Sequence, residues 1–409
     1  MEIKMENKRA PRVRFKGFTE DWEQRKLGNQ MYIKSRIGWQ ALTRDEYLET
    51  GDYYLITGTD IDESSHTVDL KHSYYVSKER YEMDNKIQVK EGDIIVTKDG
   101  TIGKVAMVTG LDKPATLNSH LFVLRDLSGN LDNRYLLQIL NSHIFDAFVN
   151  STKTGSTLTG LPQKTFVEFR FPVPCFEEQK KISSFLDNLD NLITLHQRKL
   201  VKLNSVKKSM MGKMFPKNGK RVPEIRFAGF TDDWEQRKLG EVAQITMGQS
   251  PDGSTYSDTP SDYILVQGNA DLKDGWVSPR IWTTQETKTA ATGDLIMSVR
   301  APAGAMGKTA YDVVLGRGVA GIKGNEFIYQ TLVKMDSNGY WKRLAAGSTF
   351  ESVNSDAVNN AEIMIPQDMA EQDRIGDYFK QLDSLITLHQ SKLTKLMKIK
   401  QSMLESMFV

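Results

Sequence analysis

RFKGFTEDWEQRKLG, residues 14–28, returns as RFAGFTDDWEQRKLG at 226–240, with 13 of 15 positions identical. A second stretch, EQKKISSFLDNLDNLITLHQRKLVKLNSVKKSMMGKMF at 178–215, returns at 371–408 with 20 of 38 positions identical. Between the copies, residues 29–154 and 241–346 share almost nothing. The chain thus runs Trp block, variable insert, helical block, then the same three again, the mark of an internal repeat. The copies are offset by 212 residues for the Trp block and 193 for the helical block, so the inserts differ in length too. A constant frame around two divergent inserts suits a protein that holds two different recognition surfaces at one fixed spacing.

The helical blocks carry a seven-residue apolar rhythm. Ile182, Leu189, His196, Leu203 and Met210 form one row, with Leu186, Ile193, Leu200, Lys207 and Met214 beside it. The second block repeats this with Ile375, Leu382, His389, Leu396 and Met403, beside Phe379, Ile386, Leu393, Lys400 and Met407. Alternating spacings of three and four make a coiled-coil seam. A helix of some 38 residues spans on the order of 55 Å, so the two are expected to pack on each other, antiparallel if a two-fold relates the repeats. His196 and His389 stand on the seam within the shared LITLHQ segment; packing and hydrogen bonding at the helix crossing explain them, and no ligand cluster surrounds them.

Each helix follows a proline-bearing segment, FPVPCFEEQ (171–179) or MIPQDMAEQ (364–372), with Glu178 and Glu371 in the first turn, where the helix dipole favours an acid. FPKNGKRVP (215–223) reads as a linker. The inserts read as mixed α/β. EGDIIVTKDGTIGKVAMV (91–108) and TGDLIMSVRAPAGAMGKTA (292–310) are hairpin-like, with the glycine-rich turn expected to be longer in the second. YLLQILNSHIFDAFVN and FIYQTLVKMDSNGYWKRLAA read as helical, each followed by a GST triplet.

With 54 basic and 52 acidic side chains the chain is nearly neutral, which argues against charge-only nucleic-acid binding while leaving room for local basic faces. The single cysteine, Cys175, excludes a disulfide framework and any multi-cysteine metal site. No run of 18 apolar residues and no hydrophobic leader are found, so a soluble cytoplasmic protein is expected. GKT at 307–309 fails as a phosphate loop because Pro302 occupies the position of the required glycine. No dinucleotide-binding glycine pattern and no amine-gripping Asn/Asp-Pro-Pro-aromatic tetrapeptide is present, and the chain reads as non-catalytic. Nine Lys/Arg and no acid lie between Arg198 and Arg221. In the inserts, Thr97, Lys98, Lys104, Ser298, Arg300, Lys308 and Arg317 are the candidate DNA-binding side chains, since such groups pair with phosphates or donate to guanine edges; plain surface charge is the simpler account of each taken alone.

The repeated FxGFTxDWEQRKLG blocks, the Pro-x(3–4)-EQ helix starts, the GD(I/L)I strands and the long helices ending KSMMGKMF and KQSMLESMF together resemble the specificity subunits of type I restriction–modification enzymes, over nearly the whole chain. The resemblance implies two mixed α/β target recognition domains joined by a pair of long antiparallel coiled-coil helices, with an internal pseudo-two-fold repeat. The implied segmentation is a flexible N-terminus at 1–13, recognition domains at 14–175 and 217–367, a central helix at 176–216 and a C-terminal helix at 368–409. It implies that each domain reads half of a bipartite site in double-stranded DNA and that the helix pair sets the gap. It further implies docking of two adenine methyltransferase subunits and of endonuclease/translocase subunits, in a system that methylates host DNA and defends against phage. No cofactor is expected on this chain; S-adenosylmethionine, ATP and Mg are expected on those partners. Two rivals remain at this point, a self-contained DNA-modifying enzyme and a coiled-coil scaffold that does not bind DNA.

Overall fold

The polar run EQRK, an unpromising strand by composition, becomes one in both halves by pairing. In the computed structural model, which describes residues 10–37, 41–152, 160–217, 219–346 and 352–408, Glu23–Lys26 pairs antiparallel with Arg170–Val173, and Glu235–Lys238 pairs with Glu362–Ile365. The Trp block is thereby tied to the segment that launches each long helix. Arg14 grips Glu178 with two hydrogen bonds of 2.7 and 2.8 Å, and Arg226 grips Glu371 with two of 2.7 Å. Both carboxylates are buried, and the pairing holds both guanidiniums above their usual pKa. Trp22 adds a 3.2 Å bond from Nε1 to Glu178. Next to each Glu, Gln179 and Gln372 donate to the carbonyls of Pro174 and Pro366, at 2.9 and 3.0 Å. The duplicated Glu-Gln is therefore a clamp on the helix start, with the dipole effect a lesser contribution.

The chain divides into two compact units, residues 1–198 with 391–409, and residues 199–390. The two long helices, Phe176–Lys213 and Met369–Met407, each give one half to each unit. This differs from the expected segmentation, in which the helices stood apart as segments of their own. In the first unit Ile182, Leu186 and Leu189 share a core with Leu396, Met403, Leu404 and Met407; in the second, Leu203, Val206, Met210 and Met211 share one with Ile375, Phe379 and Leu382. The start of one helix meets the end of the other within each unit, so the pairing is antiparallel. All twelve expected seam residues (Ile182, Leu189, Ile193, His196, Leu200, Leu203, Ile375, Leu382, Ile386, His389, Leu393 and Leu396) are buried or half-buried. An ion pair pins the seam in each unit: Lys400 to Asp190 in the first and Lys207 to Asp383 in the second, each at 2.5 Å.

Each insert contributes a six-stranded sheet in the same order. In the first unit it runs Met31–Lys34, Leu121–Asp126, Ile94–Thr97, Val105–Met107, Thr67–Val68, Ile61–Asp62. In the second it runs Gln244–Met247, Val319–Lys323, Leu295–Ser298, Met306–Lys308, Trp276–Val277, Leu272–Lys273. A second sheet of four or five strands faces it, built on a parallel pair, Tyr53–Ile56 with Ala115–Leu117 or Tyr263–Val266 with Val313–Leu315. The mixed α/β expectation holds, and two inserts of unrelated sequence share one topology because both supply short apolar runs buried on both faces, such as Ile94–Thr97 and Leu295–Ser298.

Three expectations need correction or restriction. Within 1–13, residues 1–9 lie outside the described residues, but Val13 N donates to Ser406 O at 3.0 Å and Arg12 to Ser406 Oγ at 3.2 Å, so residues 12 and 13 are anchored to the last helix. Phe215, read as the start of a linker, is buried, stacked on Phe327 and packed against Phe379 and the edge of Trp234. Both GST triplets fall outside the described residues.

Candidate nucleic-acid interface

One rim of each six-stranded sheet carries the glycine-containing turn singled out from sequence. In the first unit Thr97 N donates to Lys104 O at 3.0 Å and Gly103 N to Thr97 O at 3.0 Å; in the second, Ser298 N donates to Ala305 O and Gly304 N to Ser298 O, both at 2.8 Å. The turns are therefore equal in length, 98–103 and 299–304, and the expected longer second turn is wrong. Aligning the Gly-Lys pairs misled, because Lys104 corresponds to Ala305 and not to Lys308. Gly103 and Gly304 close the turns at φ of 90° and 106°, a conformation that favours glycine.

The seven candidate side chains separate clearly on this frame. Thr97 and Ser298 are buried, and their hydroxyls close the turns by donating to the carbonyls of Thr101 and Arg300, so they hold the loop, while Thr97 and Lys104 also line the rim cleft of the first unit. Lys308 lies at the far end of its hairpin, opposite Leu295, with its side chain only 13% exposed. It pairs with Glu326 at 2.9 Å and lies over the rings of Tyr329 and Trp276 at 4.5 and 5.2 Å, which removes it from the rim. Lys104 pairs with Glu63, and Lys98 reaches Ser35 Oγ at 3.3 Å and the Phe122 ring at 5.6 Å. Arg300 and Arg317 are exposed, and among the described residues neither meets a carboxylate. Arg317 Nε reaches only Ser250 Oγ, at 3.3 Å.

The rim also gathers residues that sequence reading passed over. In the first unit Asp99, Asn118 and His120 join Thr59, Tyr47 and Tyr74 around an open cleft of about 710 Å³. His120 Nδ1 stands 3.4 Å from Asp99, and Asn118 Oδ1 accepts from His120 N at 3.0 Å. Tyr47 and Tyr74 meet edge to face at 5.4 Å, and Tyr74 is exposed. Such a mix of amide, acid, imidazole and aromatic groups offers both donors and acceptors to base edges. The Asn-Ser-His run just before a strand was the available signal.

A second region shows how inserts meet helices. In the first unit His66, at φ 52°, is largely buried against Lys400, with Nε2 and Nζ 2.9 Å apart. Burial, with Lys400 adding to it, pushes its pKa down to about 4. In the second unit Gly275 takes the same place, its carbonyl accepting from Lys308 N as that of His66 accepts from Met107 N, both at 2.9 Å. Without an imidazole there, a cleft of about 600 Å³ opens between Trp276, Tyr329, Lys308, Lys380 and Asp383. Gln138 and Gln330, both buried, bridge insert to helix by donating to Asp190 and Asp383 at 3.0 and 2.9 Å.

Among the described residues no cluster of three or more His, Cys, Asp or Glu is placed to hold a metal ion, and no helix is long and apolar enough to cross a membrane. The sequence matches the family described as "Type I restriction modification DNA specificity domain" twice, over residues 19–205 and 231–398. It is 27% identical to the protein named "Putative type I restriction enzyme MjaX specificity subunit" of Methanocaldococcus jannaschii, across 94% of this chain and 92% of that one. It is 24% identical to the MjaVIII specificity subunit of the same organism, across 94% and 91%. The crystal structure of a type I restriction–modification system S subunit from M. genitalium superposes with a TM-score of 0.70 at 13% identity, covering 98% of this chain and 99% of that one, which shows a shared fold. Duplicated frame, twin inserts and both matched stretches agree: the chain belongs to the family of type I restriction–modification specificity subunits.

Proposed function

We propose that this chain is the DNA-recognition subunit of a type I restriction–modification complex, itself without an active site, and that each unit reads one half of a bipartite duplex site. The observation that carries this reading is the contrast within the sheet rims: same topology and same turn closure, with different side chains on show. Two half-sites of different sequence call for such a pair. Phosphate contacts place a reader on DNA, and groups at the rim specify the bases.

The long helices set the unread gap, since a continuous helix keeps a distance that a flexible linker would not. They also offer equivalent faces to two adenine methyltransferase subunits. Leu192 and Leu195, 43% and 46% exposed, recur as Leu385 and Leu388 at 43% and 47%, the same apolar side chains left uncovered in both copies. Endonuclease/translocase subunits join through those partners, which carry S-adenosylmethionine, ATP and Mg in the cytoplasm.

Mapping of methylated adenines in a host carrying this chain with its methyltransferase tests the reading. A split motif with a fixed gap is expected, and absence of any split motif would overturn it. Removing one helical turn from both long helices should change the gap and leave each half-site intact; an unchanged gap would refute the spacer role.

A further inference from the structure

The equivalence of the two turns brings together two pairs of residues whose charges differ between the units. Val299 N donates to Gly318 O at 2.9 Å, as Lys98 N does to His120 O at 2.9 Å. Just past the last paired residues of these antiparallel ladders, Ser298 with Val319 and Thr97 with Leu121, come Arg300 and Arg317 in the second unit, where Arg300 bridges on to Ser352, and Asp99 and Ser119 in the first. Both arginines are exposed, and no carboxylate among the described residues meets either of them.

The second unit also holds them rigidly. Arg317 lies between Gly316 and Gly318, whose backbones press on neighbouring chain. A Cβ on Gly318 would stand 2.0 Å from Gln267 O, and one on Gly316 would stand 3.1 Å from Gln267 Cα. Arg317 N also donates to Ser250 Oγ at 3.1 Å. Arg300 stands between the buried Val299, whose carbonyl accepts from Val353 N at 2.8 Å, and the buried Ala303. Side chains mounted on fixed backbone lose less freedom on binding.

We infer that Arg300 and Arg317 are the base-reading residues of the second unit, each taking the N7 and O6 acceptors of a guanine in the major groove, and that Asp99 has the reciprocal role in the first unit, accepting from the amino group of a cytosine or adenine. This rests on the DNA-recognition reading proposed above. The comparison with Asp99 separates base contact from phosphate contact. Both units approach the same polyanion, so a phosphate-binding position would keep a cation in both. Here the position changes sign, as a position that tracks base identity does. The planar arginine fork matches the guanine edge, and an acid matches an exocyclic amine. Both arginines stand where the two strands of one antiparallel pair end, and long side chains from there can reach neighbouring base pairs, which rise about 3.4 Å.

Methylated-adenine mapping with the complete complex decides the matter. For the unaltered chain, the half-site read by the second unit should contain guanine. Arg317→Ala and Arg300→Lys should each relax one guanine, lowering its preference over other bases roughly ten- to a hundredfold, while the other half-site is unchanged. Asp99→Asn should alter only that other half. Arg300→Lys keeps the charge and the register, so its relaxed guanine separates a lost fork from a misfolded loop. A motif unchanged in all three variants, with methylation merely weaker everywhere, would mark the arginines as phosphate contacts and overturn the inference. So would a half-site without guanine. Failure to find any split motif with the unaltered chain would instead overturn the functional reading beneath it.

Discussion

The frame and the rims have opposite histories written in the same chain. At the frame, Arg14 with Glu178 and Arg226 with Glu371 are built alike, and so are Lys400 with Asp190 and Lys207 with Asp383. At the rims, Asp99 holds in one unit the position that Arg300 holds in the other, on turns closed by the same hydrogen bonds. The difference shows which contacts hold the molecule together and which are free to vary. A buried ion pair cannot change one partner alone, whereas an exposed turn residue can change charge with its backbone already secured.

The largest test of that comparison is at the clamps. Arg14→Ala and Arg226→Ala each strand a buried carboxylate, and each is expected to cost about 3–5 kcal/mol, read as a lower denaturant midpoint. Similar losses in both variants are expected; a half that tolerates the change would break the symmetry of the frame.

A smaller effect distinguishes the two insert-to-helix junctions. His66, faced by Lys400, Asp190, Asp62 and Glu63, has its folded pKa lowered to about 4 from an ordinary 6.5. Between those values the unfolded chain binds more protons, so stability present above pH 6.5 is lost as pH falls toward 4. The loss amounts to about 3 kcal/mol at most. Denaturant unfolding from pH 7 to 4 should show this slope in the unaltered chain and a flatter one in His66→Gln. An identical slope in both would remove the imidazole as its source. The second unit, with Gly275 in that place, has no such group to titrate.

The smallest effect belongs to the rim. Replacing Arg317 with Ala should leave stability unchanged to within about 0.5 kcal/mol, as for an exposed side chain that meets no carboxylate among the described residues. A clear fall in melting temperature would show that the arginine holds the loop.

Much of the frame was legible because identical residues recur at fixed offsets, and period-seven apolar rows have few interpretations. What the duplicated residues do was less so. EQRK has no strand-like composition, and its pairing with a proline-containing partner is set by tertiary contact. The rim was half legible. A glycine-containing turn between strands was readable, but the Gly-Lys resemblance placed Lys308 in it, while the ladder pairing Leu295 with Lys308 puts that lysine at the foot of the hairpin. Thr97 and Ser298 looked like ligand donors because a hydroxyl's partner is invisible until the loop closes on it. Asp99, Asn118 and His120 were missed because they converge from separate strand ends.

The seam ion pairs carry a consequence for chain architecture. Lys207 and Lys400 are copies of one residue, as are Asp190 and Asp383, and each bond joins a lysine of one copy to an aspartate of the other. A polypeptide with only the first Trp block, insert and helix would hold both members, and two such molecules facing head to tail would form both bonds with a single kind of each. The frame of the fused protein is thus chemically that of a homodimer whose subunits share a peptide link, free to diversify one reader without consulting its twin.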